Sequence, residues 1–374
     1  MIQVGFLGKR SLAYEEGIRS VEGTQPFGFF DPDPSTHSWA SELGLHVAES
    51  EDDLVEKCGA IVIGSPMPLH APQAIKCLKQ DRHVLSEVTA ATNLEDCWRL
   101  LAAAEGSQAT YSMAENYCFF PENILIKALV AEGLFGSLTF GEGDYVHDVR
   151  SMHFNPDGSP TWRAFWQMGA RGNTYITHEI GPVMQWMTLA DQHDRISTVS
   201  CFGTGPLTNP DLPQDDTTIT LCQLESGRLI KARLDMTSSR PEMICTTLQG
   251  TQGVYESGRG SMTEHRVWFG EGIPGEHRDW KSLDDFWQVL DLETRSEIEA
   301  AKSSGHGGGD YLTGRAFAKS LQSGYPFEIG IHEALEWTAA GLCSQVSIMS
   351  GGVPIKVPDF RHTKDRPKWL EVEG

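Results

Sequence analysis

The chain has no uninterrupted apolar run near the roughly 20 residues that a membrane-crossing helix needs, so no stretch reads as a membrane span. Its start, MIQVGFLGKR, passes straight into a strand-like run and leaves no room for a charged leader followed by a separate apolar stretch, so a cytoplasmic protein is expected. Positive charge is scarce: 30 Lys and Arg against 51 Asp and Glu give a net charge of −21, and the basic residues are scattered. Nucleic acid and anionic membranes are therefore poor partners. The eight cysteines (58, 77, 97, 118, 201, 222, 245 and 343) contain no CxxC pair, which fits free thiols in a reducing compartment better than disulfides or zinc. No metal site is expected, since His147, Asp148, His153 and Glu115 follow no ligand spacing. An internal repeat is also missing.

What is present is length for two domains and a clear alternation in the first third. Residues 61–91, IVIGSPMPLHAPQAIKCLKQDRHVLSEVTAA, read as an apolar strand, a loop, an amphipathic helix and a second strand ending on a carboxylate. Parallel sheets bind ligands beyond the carboxyl ends of their strands, which places Ser65, Pro66, His70 and Glu87 on a ligand-binding rim.

Ile2–Leu7 is the first strand, and Lys9–Ala13 opens a helix after Gly8. Aligned with the dinucleotide fingerprint G-x-G-x-x-G/A, the second glycine is Arg10 and the third is Ala13. Arg10 implies a displaced cofactor or a guanidinium that itself contacts phosphate. A strand at Phe27–Phe30 ends on Asp31, where an acid would bond the ribose hydroxyls of NAD and repel the 2′-phosphate of NADP. A later strand ends at Ala114-Glu115-Asn116, adding polar groups to the rim. Six strands alternating with helices predict a doubly wound α/β Rossmann domain over residues 1–120.

Residues 121–374 predict an α+β domain with an open-faced, mostly antiparallel sheet. The strand from Leu138 to Val149 carries Tyr145, His147 and Asp148 at its tip. A helix from about Ile180 follows, then strands near 195–204, 216–224, 228–237 and 241–249, with Tyr255 in a turn. The run SSGHGGGDY, 303–311, is a linker or a closing loop, and an apolar helix from His332 to Met349 packs back on the core.

The strand, S-P…H loop, helix and H-V-x-x-E of residues 61–87 resemble the Gfo/Idh/MocA oxidoreductases, with Val88 where their lysine stands. EVTAATNLEDCW, MAENYC, GEGDYVHD, GNTYITHEIGPV and GVYESG look like one branch of that superfamily, glycoside hydrolase family 109 and related NAD-dependent glycosidases. The resemblance implies NAD as cofactor, contacted by Glu87, Val88 and Asn116; Gly8, Arg10, Ser11, Leu12, Asp31, Ser65, Pro66, Leu69, His70 and Tyr175 are the further cofactor-binding candidates. It implies that Tyr145 and Arg163 contact a sugar while Tyr175, His178 and Tyr255 surround the reacting ring. It also implies a homo-oligomer, dimer or tetramer. The branch's Met-Arg-Gly after the first strand is Ser11-Leu12-Ala13 here, and its Trp-rich cofactor loop is Met67-Pro68-Leu69.

NAD-dependent glycosidases are an exception to the usual two-carboxylate chemistry. The sugar, a small-molecule glycoside, is oxidised (at C3 on this reading), loses its C1 substituent by elimination, adds water and is reduced again. His178 is then expected to take the hydroxyl proton and Tyr145 or Tyr255 the C2 proton, with Glu115 tuning or replacing one of them. Arg150, Arg163 and Arg171 either read an anionic sugar such as a uronate or sulfonate, or pair with Asp148, Asp157 and Glu179. An N-acetylated sugar is the other substrate class. Two other functions stay open: an NAD-dependent sugar or polyol dehydrogenase, and a nucleotide-binding protein without catalysis.

Overall fold

The structure is a computed structural model and describes residues 1–189, 194–260, 264–270, 279–362 and 365–368. Two compact units divide the chain: Met1–Phe119 with Glu297–Thr338 and Asp359–Gly374, and Phe120–Ser296 with Ala339–Pro358.

The first unit is organised on β1 (Ile2–Leu7), β2 (Thr24–Phe30), β3 (His46–Val47), β4 (Ala60–Ile63), β5 (His83–Glu87) and β6 (Tyr111–Ala114). They pair in parallel in the order β3-β2-β1-β4-β5-β6. That order is the doubly wound Rossmann sheet, whose winding reverses between β1 and β4. β4 and β6 are buried at every position, as strands covered on both faces must be. The helices are α1 (Glu15–Arg19), α2 (His37–Glu42), α3 (Glu51–Lys57), α4 (His70–Leu78) and α5 (Leu94–Glu105). Ser50 and Asn93 cap α3 and α5 by accepting from the backbone N–H of Asp53 and Asp96. The expected helix after Gly8 is a 3-10 turn, Lys9–Tyr14, which passes into α1.

The second unit opens with α6 (Pro121–Ala131), β7 (Leu138–Val146), α7 (Trp162–Phe165) and α8 (Thr177–Met187). Then come β8 (Ile196–Gly203), β9 (Thr217–Leu224), β10 (Leu229–Asp235), β11 (Met243–Gly250), β12 (Gly253–Glu256), β13 (Arg266–Phe269) and β14 (Lys281–Ser282). The chain continues through α9 (Leu292–Ala301), α10 (Gly309–Ser323), α11 (Ile331–Met349) and β15 (Ile355–Lys356). Among the described residues the second sheet runs β14-β13-β12-β11-β7-β10-β9-β8-β15, antiparallel except where β7 meets β10.

Two differences from the sequence reading bear on the site. Tyr255 is not in a turn: it lies in β12, paired with Leu248 of β11. The run SSGHGGGDY is not a plain linker, because a 3-10 turn at His306–Gly308 leads directly into α10. α10 seats on α1 through reciprocal glycines. A Cβ on Gly17 would stand 2.0 Å from the Tyr311 carbonyl oxygen, and one on Gly314 would stand 2.4 Å from that of Tyr14. Only glycine lets the two backbones approach so closely.

No helix among the described residues is long and apolar enough to cross a membrane.

Candidate active site

Two groups of residues stand out, one in each unit. In the first unit, the loops after β1 and β4 meet at the reversal point of the sheet. Gly8 has φ 78°, and a Cβ there would lie 2.6 Å from the Ser65 backbone; one on Gly64 would lie 2.1 Å from the Ser11 nitrogen. Ser11 is fully buried and turns its hydroxyl back to the Gly8 carbonyl (2.7 Å), whereas Leu12 is half-buried. Asp31, at the tip of β2, accepts the backbone N–H of Lys9 (2.9 Å) and of Asp33 (2.9 Å) and is only half-buried. Pro66 and Leu69 are exposed on the neighbouring loop. His70 is buried between two rim loops, its ring nitrogens 2.8 Å from the Ser65 carbonyl oxygen and 2.9 Å from that of Thr89. Burial lowers its pKa, and a neutral ring donates to only one of these two carbonyls.

Arg10 does not extend freely from the phosphate-loop position. Its Nε lies 2.8 Å from Glu87, and its two terminal nitrogens grip Asp310 at 2.8 and 2.7 Å. Glu87 also accepts from the Tyr14 hydroxyl and, at 3.2 Å, from the Val88 N–H. Val88 itself is buried, and Asn116 donates to Asp310 (2.8 Å). Glu115 is fully buried and accepts the Tyr117 N–H (3.3 Å). These residues fit a dinucleotide: tight glycine turns at the switch point, an acid at the end of β2, and polar side chains at the ends of β5 and β6.

In the second unit, β7 places Gly141, Gly143 and Tyr145 on one face, because strand side chains alternate. A Cβ on Gly143 would meet the Glu179 carbonyl oxygen at 1.9 Å, and one on Gly141 would meet Val183 at 2.4 Å. The bare glycines are the seat of α8. Its first turn therefore lies beside Tyr145, and the His178 ring stacks on that phenol with centroids 5.4 Å apart. Tyr175, just before the helix, sets its ring edge-on to both, at 5.2 Å from Tyr145 and 4.5 Å from His178. Pro182 has no N–H to give the His178 carbonyl, four residues earlier in the helix.

The Tyr145 hydroxyl lies 3.0 Å from Nδ1 of His147, a half-exposed side chain that in turn has Glu242 at 3.6 Å. Burial, and next to it the Tyr175 phenol, push the Tyr145 pKa well above the ordinary phenol value, against the pull of the Arg163 charge. Behind the cluster, Asn173 donates to the buried carboxylate of Glu179 and accepts the Tyr175 N–H (3.3 Å), fixing the turn that carries Tyr175 and His178.

Tyr255 is not brought into this cluster. Its neighbour Leu248 faces Gly141, so Tyr255 is two strands and four residues from Tyr145, roughly 10 Å across the sheet and 13 Å along it. The ring is fully buried under the far end of α8, edge-on to Trp186 (5.9 Å), with its hydroxyl 2.9 Å from His265 Nδ1.

The arginines divide. Arg150 pairs with Asp148 (2.6 Å) and Arg171 with Asp215 (2.7 Å), not with Glu179. Asp157 bonds Ser159. Arg163 donates to the neutral Gln167 (2.5 Å) and lies over Trp162 (4.6 Å).

Sequence reasoning missed Tyr14, His306 and Asp310. The glycine-rich run was visible, but nothing local marks its Asp as the partner of Arg10 and Asn116.

Sequence comparison matches the family model for the oxidoreductase family, NAD-binding Rossmann fold, to residues 1–115, and that for the glycosyl hydrolase 109 C-terminal domain to 121–211 and 206–370. A glycosyl hydrolase family 109 protein of Solibacter usitatus is 27% identical over 98% of this chain and 89% of its own length. A Shewanella oneidensis protein named alpha-N-acetylgalactosaminidase is 25% identical over 100% of this chain and 88% of its own. Among solved structures, levoglucosan dehydrogenase in complex with NADH and L-sorbose superposes with a TM-score of 0.77 at 16% identity, over 97% of this chain and 100% of its own. The WlbA dehydrogenase of Bordetella pertussis in complex with NADH and UDP-GlcNAcA superposes at 0.72 with 19% identity, over 96% and 98%. Those two likenesses establish the fold. With its NAD-binding Rossmann domain followed by a matching C-terminal domain over most of the remaining length, the chain belongs to glycosyl hydrolase family 109.

Proposed function

We propose that the protein is an NAD-dependent glycoside hydrolase that leaves its cofactor unchanged at the end of each turnover. The observation that carries this reading is the packed set of Tyr145, Tyr175 and His178, acid–base groups that a nucleotide-binding protein without catalysis does not need. Asp31, Glu87 and Asn116 would hold NAD, which when bound supplies a hydride acceptor and returns the hydride later.

His178 takes the proton of the sugar hydroxyl that is oxidised. Tyr145 handles the proton at the adjacent carbon. Its burial keeps it a phenol at neutral pH, so it can act as a base only by first passing its proton on, and His147 Nδ1 at 3.0 Å is the acceptor in place. Elimination of the C1 substituent, water addition and reduction complete the turnover. Val88 in place of the superfamily's lysine favours this reading over a sugar dehydrogenase, because that lysine commonly serves dehydrogenases in proton transfer.

The test is a panel of nitrophenyl α- and β-glycosides, neutral, N-acetylated and acidic, followed at the nitrophenol and NADH wavelengths together. Nitrophenol release without net NADH is expected. Stoichiometric NADH without release would make the protein a dehydrogenase and remove the role given to Tyr145.

A further inference from the structure

Asp310 belongs to the first turn of α10, 300 residues from Arg10 and 194 from Asn116, yet its carboxylate is where the rim of the Rossmann sheet converges. The side chain is 2% exposed. Oδ1 accepts from Arg10 Nη2 (2.7 Å) and Asn116 Nδ2 (2.8 Å); Oδ2 accepts from Arg10 Nη1 (2.8 Å) and faces His306 Nδ1 (2.8 Å). Arg10 then reaches Glu87, and Glu87 reaches Tyr14. One carboxylate thus ties Arg10 after β1 and Asn116 after β6 to the glycine-rich turn before α10, and through Arg10 it reaches Glu87 at the end of β5.

Proton conduction is not a role this chain of groups can fill. Burial alone would raise the Asp310 pKa, but the hydrogen bonds from His306 and Arg10 outweigh it and hold the carboxyl well below the usual carboxylate range. A guanidinium does not release its proton. What the network does is orient. Asn116 must turn its NH₂ toward Asp310, which leaves its carbonyl oxygen as the end available to a ligand. Arg10, standing where the fingerprint has a glycine, is drawn toward Glu87 and Asp310 by two carboxylates.

We propose that Asp310 is a positioning residue for the cofactor, setting Arg10 and Asn116 so that NAD is retained from one turnover to the next. The proposal rests on the reading of Arg10 and Asn116 as cofactor contacts. A hydrolase that regenerates its own NAD⁺ gains from slow cofactor loss, whereas a dehydrogenase must exchange it.

The experiment compares the full-length protein with its Asp310→Asn variant. It measures the NAD⁺ Kd by calorimetry, the nucleotide left after desalting, and the KM for NAD⁺ against kcat on the glycoside that the panel identifies. Expected is a tenfold or larger rise in Kd and in the NAD⁺ KM, exceeding any fall in kcat, with less nucleotide retained. A purely structural role would lower the folded fraction, hence kcat, and leave Kd and KM as they are; that result overturns the proposal. Should Asp310→Asn fail to fold, the Arg10→Gln/Asp310→Asn double variant removes both charges of the pair. A wild-type Kd in that variant overturns the proposal equally. If no glycoside is cleaved, the binding measurement still decides on Asp310, so failure of the hydrolase reading is read separately.

Discussion

Tyr145 and His178 share a stacked face, and single substitutions test the separate duties proposed for them. His178→Ala is expected to lower kcat by about 10²–10⁴, the range of a lost acid–base group, without NADH forming even in a single turnover. Tyr145→Phe keeps the ring contacts and loses only the hydroxyl. Single-turnover mixing should then show NADH appearing while nitrophenol release is lost; equal loss of both signals would refute the division of labour. This pair, with Tyr175, was legible in the sequence because one short motif and one strand tip carry all three. Asp310 was not, since its partners lie 194 and 300 residues away and only the folded chain brings them to it.

At the scale of elements, the contact that matters is α8 on β7. The alternation of GEGDY was readable as strand, but that its glycines are a helix seat needs the third dimension. The sequence reading likewise started α8 near Ile180, whereas it begins at Thr177 and so takes His178 into its first turn. Tyr255 was misplaced for a related reason: a tyrosine next to a glycine looks like a turn until the register of β11 and β12 is known. Gly143→Ala tests the seat. Its Cβ would meet a backbone oxygen, which cannot rotate away as a side chain can. A loss of about 1–3 kcal/mol or more is expected in urea unfolding, with activity falling further than stability because His178 moves with the helix. An unchanged unfolding midpoint would mean that α8 does not rest there.

For the whole molecule, the buried acids with raised pKa values set a limit on the alkaline side. Burial pushes the thiols of Cys58, Cys77 and Cys343 up to about 12 and that of Cys201 to about 11, and it raises the phenols of Tyr14, Tyr111, Tyr145 and Tyr255. In the unfolded chain these groups ionise from roughly pH 9 for thiols and pH 10 for phenols. Above those values the unfolded state binds fewer protons than the folded one. Stability is therefore full below about pH 9 and falls as pH rises toward the folded values, by up to about 1.4 kcal/mol per pH unit for each group. Urea midpoints measured from pH 8 to 11 should stay level and then drop steeply; a flat profile to pH 11 would contradict the burial of these groups. The Rossmann alternation could be read from the chain because each βα step is local. The return of Glu297–Thr338 to the first unit could not, since it depends on α10 finding the glycine seat on α1. That return also makes the nucleotide-binding unit discontinuous in sequence. A fragment that stops before Glu297 would carry the six strands of the first sheet without the Asp310 carboxylate that Arg10 and Asn116 bind. Such a fragment is expected to hold NAD⁺ more weakly than the 374-residue chain, which a binding titration would check.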